Sequence, residues 1–396
     1  MNLRALQDAD FTHKTVIMRV DFNVPINDGQ VADGFRIDAT LPAIKLLLSR
    51  DCKIVIISHM GDPKGKNDPR FTLSQVKAYL EQGLQKKVFF IDDCLGKNTK
   101  SNIENMAFGE VILLENLRFH PEEEQNDEKF AKILASYGDI YVNEAFSSIH
   151  RNHASIAQLS SICDSYAGPS LISEISNIEK LVLNPKPKMG AIIGGAKIST
   201  KINLIKSLLT KIDVLFIAGA MAHVFYKADR IDIGSSFYER DCDQLVQEIR
   251  EIAKEKNVEI VLPIDFVAAS NLESANIKRF KIGDIMGGNA IFDLGEGSIN
   301  LFKEKFKELA TIIWNGPVGA FENQPFDQGT LALAREIANL TSSNGLISIA
   351  GGGDTASALD ISGTKEQFSY VSTGGGAFLA YLESSKQPGI GNLIVN

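Results

Sequence analysis

The chain has 396 residues, 44% of them hydrophobic and 23% charged, which is too long for one core and points to two domains of somewhat under 200 residues each. Its formal net charge of −8 excludes broad nucleic-acid binding but not small anionic substrates, which need only a local cluster of Arg and Lys. Four cysteines without CxxC spacing, and no run approaching 18 apolar residues, exclude a disulfide framework and a membrane span and lead us to expect a cytoplasmic protein.

Short β-branched runs alternate with amphipathic segments throughout. In chain order the sequence predicts strands at Val16–Val20, Lys53–Ile57, Val88–Ile91, Val111–Leu114 and Ile140–Val142. A second series follows at Gly190–Ile193, Val214–Ala218, Glu259–Leu262, Ile312–Trp314, Leu346–Ala350 and Ser369–Val371. Helical periodicity fills the gaps, as in Ile37, Leu41, Ile44, Leu47 and Leu48, or Ile202, Ile205, Leu208 and Leu209. Strands apolar on both faces, alternating with helices, imply two doubly wound α/β domains with parallel, Rossmann-like sheets. The expected division is residues 1–170, a helical linker at 171–184, and residues 185–377; Asn184-Pro185-Lys186-Pro187 stops the helix. The run Glu122-Glu123-Glu124 reads as a solvated face.

Parallel sheets bind ligands beyond the carboxyl ends of their strands. In the first half those positions carry Asp21 and Asn23, Ser58-His59, Asn116 with Arg118, and Asn143-Glu144, with Arg19, Arg36, His150 and Arg151 nearby. Converging arginines suit carboxylate and phosphate. His150 and His153 lack an obvious third partner for zinc. In the second half the positions carry Gly194-Gly195-Ala196-Lys197, Gly219, Asn315-Gly316-Pro317, Gly351-Gly352-Gly353-Asp354-Thr355 and Gly374-Gly375-Gly376. Glycine turns at helix starts let backbone N–H groups approach phosphate. Asp354 reads equally as a helix cap or as a ligand to Mg²⁺ bridging a polyphosphate. Lys197 and Lys201 are spaced one helical turn apart near a helix start, either as solvated lysines or as cations flanking an anion. The asymmetry between the halves predicts a small anion on the first domain and a nucleotide on the second. No G-x-x-x-x-G-K-[ST] loop and no H-R-D set occur, which excludes P-loop and protein-kinase architectures. A dinucleotide-dependent dehydrogenase would need G-x-G-x-x-G after the first strand, where Asp21-Phe22-Asn23 stands.

Several strings then resemble the phosphoglycerate kinase family, in its order and across nearly the whole chain. They are Arg19-Val20-Asp21-Phe22-Asn23-Val24-Pro25, Ser58-His59-Met60-Gly61, Glu115-Asn116-Leu117-Arg118-Phe119 and Ala145-Phe146 leading to His150-Arg151. Gly194-Gly195-Ala196-Lys197, the run Trp314 to Glu322, Gly351 to Thr355 and Ser372 to Ala377 follow. The resemblance implies that Asp21, Asn23, Arg36, His59, Arg118 and Arg151 hold 3-phosphoglycerate, with Arg36 bridging its carboxylate to the migrating phosphoryl group. It implies that Gly195, Ala196, Lys197, Lys201, Gly219, Phe292, Asn315, Glu322, Gly351, Gly352, Gly353, Asp354 and Thr355 bind ATP or ADP. Asp354 would hold Mg²⁺, Lys201 would follow the transferred group, and the Gly375 and Gly376 amides would stabilise it in flight. It further implies a tail, residues 378–396, returning to the first domain, and a monomer acting on small molecules, with no membrane or nucleic-acid partner. Two positions depart from the family pattern: Asp62 stands where an Arg helps to hold the substrate phosphate, and Ile291 where a Gly borders the adenine. The first departure leads us to expect weaker 3-phosphoglycerate binding and leaves room for a binding protein without catalysis.

Overall fold

The computed structural model describes residues 1–180, 188–285, 287–372 and 374–395. The predicted stop at Asn184-Pro185-Lys186-Pro187 lies outside them, as does Thr373. The chain forms two compact units, one of Met1–Asn177 with Lys386–Asn396, the other of Ile178–Ser385.

In the first unit the strands are β1 (Thr15–Arg19), β2 (Ile26–Asn27), β3 (Gln30–Val31), β4 (Lys53–Ile57), β5 (Val88–Ile91), β6 (Val111–Leu114), β7 (Ile140–Asn143) and β8 (Asp164–Ala167). Six of them make one sheet in the order β5-β6-β4-β1-β7-β8, with every pair parallel. Alternation along the strands divides their side chains between two cores. Val16 and Met18 with Ile54 and Ile56 enter one, while Ile17 with Val55 and Ile57 enters the other. That is why these strands are apolar without a break. Each fully buried Val, Ile or Leu contributes about 1.5–3 kcal/mol against solvent exposure.

The second unit has β9 (Met189–Ile193), β10 (Val214–Ile217), β11 (Glu259–Val261), β12 (Asp265–Ala269), β13 (Lys278–Lys281), β14 (Ala290–Leu294), β15 (Thr311–Asn315), β16 (Ile347–Gly351) and β17 (Tyr370–Ser372). Its main sheet is parallel in the order β11-β10-β9-β15-β16-β17. The direction of winding changes between β9 and β15, and in the first sheet beside β1. The crevices at those points are where ligands fit.

The sequence reading missed a three-stranded antiparallel sheet, β13-β12-β14. Its edge strand β13 reads Lys-Arg-Phe-Lys and is largely exposed, so it carries no apolar run to detect. Glu122-Glu123-Glu124 also needs correction. Glu123 is fully buried and accepts hydrogen bonds from the Ser155 backbone N–H (2.9 Å) and hydroxyl (2.6 Å). A charge run read without its tertiary partners looks solvated; here one of the three glutamates points inward.

The last residues belong to the first unit. Leu3 and Ile394 form an antiparallel bridge, Arg4 N–H donates to the Leu393 carbonyl (2.7 Å), and the Asn143 amide donates to the Gly389 carbonyl (2.9 Å). Among the described residues no helix is long and apolar enough to cross a membrane.

Candidate active site

At the carboxyl edge of the first sheet, β1 ends in Arg19, a guanidinium buried to 1% exposure. It donates through Nε to the Ser155 hydroxyl (2.9 Å), through Nη1 to the Val20 carbonyl, and through Nη2 to Nδ1 of His59 (3.2 Å). Arginine has no acceptor, so Nδ1 of His59 must accept, and the imidazole keeps its proton on Nε2. Burial, then the charges of Arg19, Arg118 and Arg151, hold His59 well below the usual imidazole range. It is a neutral N–H donor among cations.

Asp21, just past β1, accepts from Arg36 Nη1 (2.7 Å) and from the Ser147 hydroxyl. Arg36 also donates to the Asn23 carbonyl (3.1 Å). The Asn23 side chain accepts from the Gly61 N–H (2.9 Å), and Arg118 Nη1 donates to the Gly61 carbonyl (2.7 Å). The loop after β4 is thereby pinned from two sides. Burial and the nearby Arg151 lower the Arg118 pKa. Arg118 Nη2 and Arg151 Nε are buried without a protein partner. Two such donors beside a neutral His donor form a cationic cluster that suits anionic oxygen. Burial and the same arginines push the neighbouring His153 down to about 3.

Asp62, next to Gly61, is about half exposed, with its carboxylate 2.5 Å from Lys64 Nζ. The hydrogen bond to Lys64 is the first cause that holds its carboxyl below the usual range, and Arg118 adds to it at a distance. The negative charge that the sequence placed here is therefore partly matched by its own lysine.

In the second unit a cavity of about 360 Å³ opens at the sheet edge. It brings together Gly195, Ala196, Gly219, Phe292, Glu322 and Asp354 among the residues the sequence singled out. Gly219 (φ +64°) starts the helix Ala220–Ala228, and a Cβ there would lie 3.0 Å from the Gly195 backbone. Only glycine allows that approach. Asn315 and Thr355 do not line the cavity. The Asn315 amide donates to the Gly351 carbonyl (2.6 Å) and Thr355 Oγ1 accepts from the Gly316 N–H (2.7 Å), so both brace the glycine turns. Gly352 (φ +104°) precedes the helix Gly353–Ser362, whose first turn carries the exposed Asp354. Gly375 (φ +52°) similarly precedes the helix Gly376–Glu383.

Lys197 and Lys201 are not a turn apart on one helix. The α-helix begins at Ile202, after a 3₁₀ turn at Ser199–Lys201, and Lys197 lies exposed in the preceding loop. Gly194-Gly195 shapes an extended turn that delays helix formation. Lys201 instead folds back, its Nζ donating to the Gly194 carbonyl (2.9 Å). Burial pulls its pKa down to about 8, against the attraction of Asp354. His223, Phe237 and Phe266 also line the cavity and carried no sequence signal, since His223 and Phe266 read as ordinary core residues and Phe237, which is exposed, as a loop aromatic until the fold seats them there.

The family model described as phosphoglycerate kinase matches residues 6–385. A phosphoglycerate kinase of Wolbachia pipientis wMel is 43% identical over 395 residues, covering 99% of both chains. That of Wolbachia pipientis subsp. Culex pipiens (strain wPip) is 42% identical over 391 residues, covering 98% of both. The solved structure of phosphoglycerate kinase from Coxiella burnetii superposes with a TM-score of 0.88 at 37% identity, over 99% of this chain and 98% of the other.

Proposed function

The chain belongs to the phosphoglycerate kinase family and transfers a phosphoryl group between 1,3-bisphosphoglycerate and ADP, giving 3-phosphoglycerate and ATP in glycolysis, and we propose how its residues divide that work. The cluster of Asp21, Asn23, Arg36, His59, Arg118 and Arg151 takes 3-phosphoglycerate. The cavity bordered by Gly195, Gly219, Phe292 and Glu322 takes the nucleotide. The observation that carries the first assignment is the pair of buried guanidinium nitrogens, Arg118 Nη2 and Arg151 Nε, without a protein partner. A phosphate or carboxylate satisfies both.

The acceptor is a carboxylate, already ionised near pH 7, so no general base is needed. What remains is positioning in line and neutralising charge as the phosphoryl group passes. Arg36, steadied by Asp21, presents its guanidinium to the acceptor carboxylate. Lys201, a desolvated cation, follows the moving group, and the amides of Gly375 and Gly376 at a helix start receive its equatorial charge. Asp354 fits Mg²⁺. It offers a single exposed hard-oxygen ligand on the cavity wall, and Mg²⁺ commonly takes one or two carboxylates and completes its shell with phosphate and water. When bound, the ion neutralises charge on the nucleotide phosphates. The two substrates occupy different units, so the catalytic cycle includes a closing step that also keeps water from the acyl phosphate. The same reading takes the protein as a cytoplasmic monomer acting on small molecules; its net charge of −8 disfavours nucleic acid.

A coupled assay of MgATP with 3-phosphoglycerate tests the assignment. Turnover should fall by roughly two to three orders of magnitude in Arg36→Ala, the scale of losing a preorganised charge contact. Unchanged turnover in that variant would remove Arg36 from the mechanism.

A further inference from the structure

We propose that His223 reads the nucleotide base, favouring a purine with an amino group at position 6 over one with a carbonyl there; this rests on the cavity being the nucleotide site. His223 lies one turn into the helix that begins beside Gly219, and it lines the same cavity as Gly219, Phe292 and Glu322. Its side chain is almost wholly buried. Nδ1 lies 2.7 Å from the carbonyl oxygen of Phe237. A carbonyl can only accept, so Nδ1 carries the proton and Nε2 presents a bare lone pair. Burial lowers the ring's pKa, which keeps it neutral at pH 7.

Nε2 is buried and has no hydrogen-bond partner. Among the described residues lining the cavity, it is the one buried side-chain polar atom in that condition. Its surroundings offer no substitute. Phe266 packs edge-on at 6.3 Å between ring centroids, and Phe237, Ile291 and Phe292 add apolar wall. The nearby Asp293 carboxylate is already engaged by the backbone N–H groups of Leu294 (2.8 Å) and Gly329 (2.7 Å). A buried acceptor without a partner carries a standing penalty that only a donor relieves. The 6-amino group of adenine is such a donor. The 6-carbonyl of hypoxanthine or guanine would set lone pair against lone pair. Sites built around one buried hydrogen bond reject the analogue that cannot make it. A position that the resemblance leaves unassigned thus gives the base end of the cavity a polarity.

The test compares the affinities of MgADP and MgIDP for the full-length protein by calorimetry. These nucleotides share ribose and diphosphate and differ on the six-position edge. MgADP should bind tighter by about tenfold to a hundredfold, and in His223→Phe, which keeps a ring but no acceptor, the ratio should fall to within about twofold. In ¹⁵N-histidine spectra of the unaltered protein, Nε2 should resonate as an unprotonated nitrogen and move on adding MgADP but not MgIDP. Equal affinities of the unaltered protein for the two nucleotides would overturn the inference while leaving the nucleotide site intact. So would a ratio that survives His223→Phe, or a protonated Nε2. Binding of neither nucleotide by the folded protein would remove the nucleotide reading and this inference with it. Should His223→Phe fail to fold, the spectra of the unaltered protein decide alone.

Discussion

At the scale of single residues, charge placement rather than charge count separates the two sites. Asp62 puts a carboxylate beside the proposed 3-phosphoglycerate site, but Lys64 sits 2.5 Å from it, so the net field there is smaller than the sequence led us to expect. Replacing Asp62 with Arg removes one repulsion and adds a donor. We expect the KM for 3-phosphoglycerate to fall roughly three- to tenfold with kcat within about twofold, because the contact is made equally before and during transfer. A KM that stays put would show the pair to be electrically silent. Lys201 gives a pH signature. Its pKa of about 8 in the free protein means that it carries charge below that pH and loses it above. A polyphosphate beside it favours the charged form and raises the pKa. Binding of MgADP should therefore take up protons near pH 8.5 and almost none near pH 6.5, as calorimetry in buffers of different ionisation enthalpy would read. Lys201→Arg, always charged, should abolish the uptake.

At the scale of elements, the carboxyl edge of the first sheet is held from behind. Glu123 accepts from Ser155, Ser155 accepts from Arg19, and Arg19 fixes the tautomer of His59. The chain of contacts runs from a buried helix residue to His59, which we propose holds substrate. Burial raises the Glu123 pKa, while Arg19 and Ser155 oppose the rise. Glu123→Ala leaves the Ser155 N–H and the Arg19 charge without that partner. It should cost about 2–4 kcal/mol, seen as a thermal midpoint several degrees lower, with a raised KM for 3-phosphoglycerate. An unchanged midpoint would mean that water replaces the carboxylate at no cost. Arg19 and His59 were legible at the strand ends, but the support behind them was not. Glu123 lies in a triple-glutamate run whose local signal is solvation, and Ser155 has no pattern at all. The strand ends were legible, because uninterrupted apolar runs such as Lys53–Ile57 end at chemically distinct residues such as Ser58-His59. β13 was not, because its charged side chains face solvent.

At the scale of the whole molecule, two parallel sheets of the same architecture carry opposite chemistries. The sequence shows this directly, as arginines after the strands of one half and glycines after those of the other. The cavity of the second unit was out of reach, since Gly219, His223, Phe237, Phe266 and Phe292 line it together only when β10, β12 and β14 and their connections are folded together. The first unit is also discontinuous along the chain, with its beginning and its end lying side by side. Val395 N–H donates to the Asn2 carbonyl (2.9 Å), next to the bridge between Leu3 and Ile394. The polypeptide is thus nearly a ring already. Joining its two ends through a few residues and opening the backbone at an exposed turn, such as that at residues 271–273, should yield a circular permutant with the same fold and activity. The order in which the residues are written could then change while the enzyme stays the same.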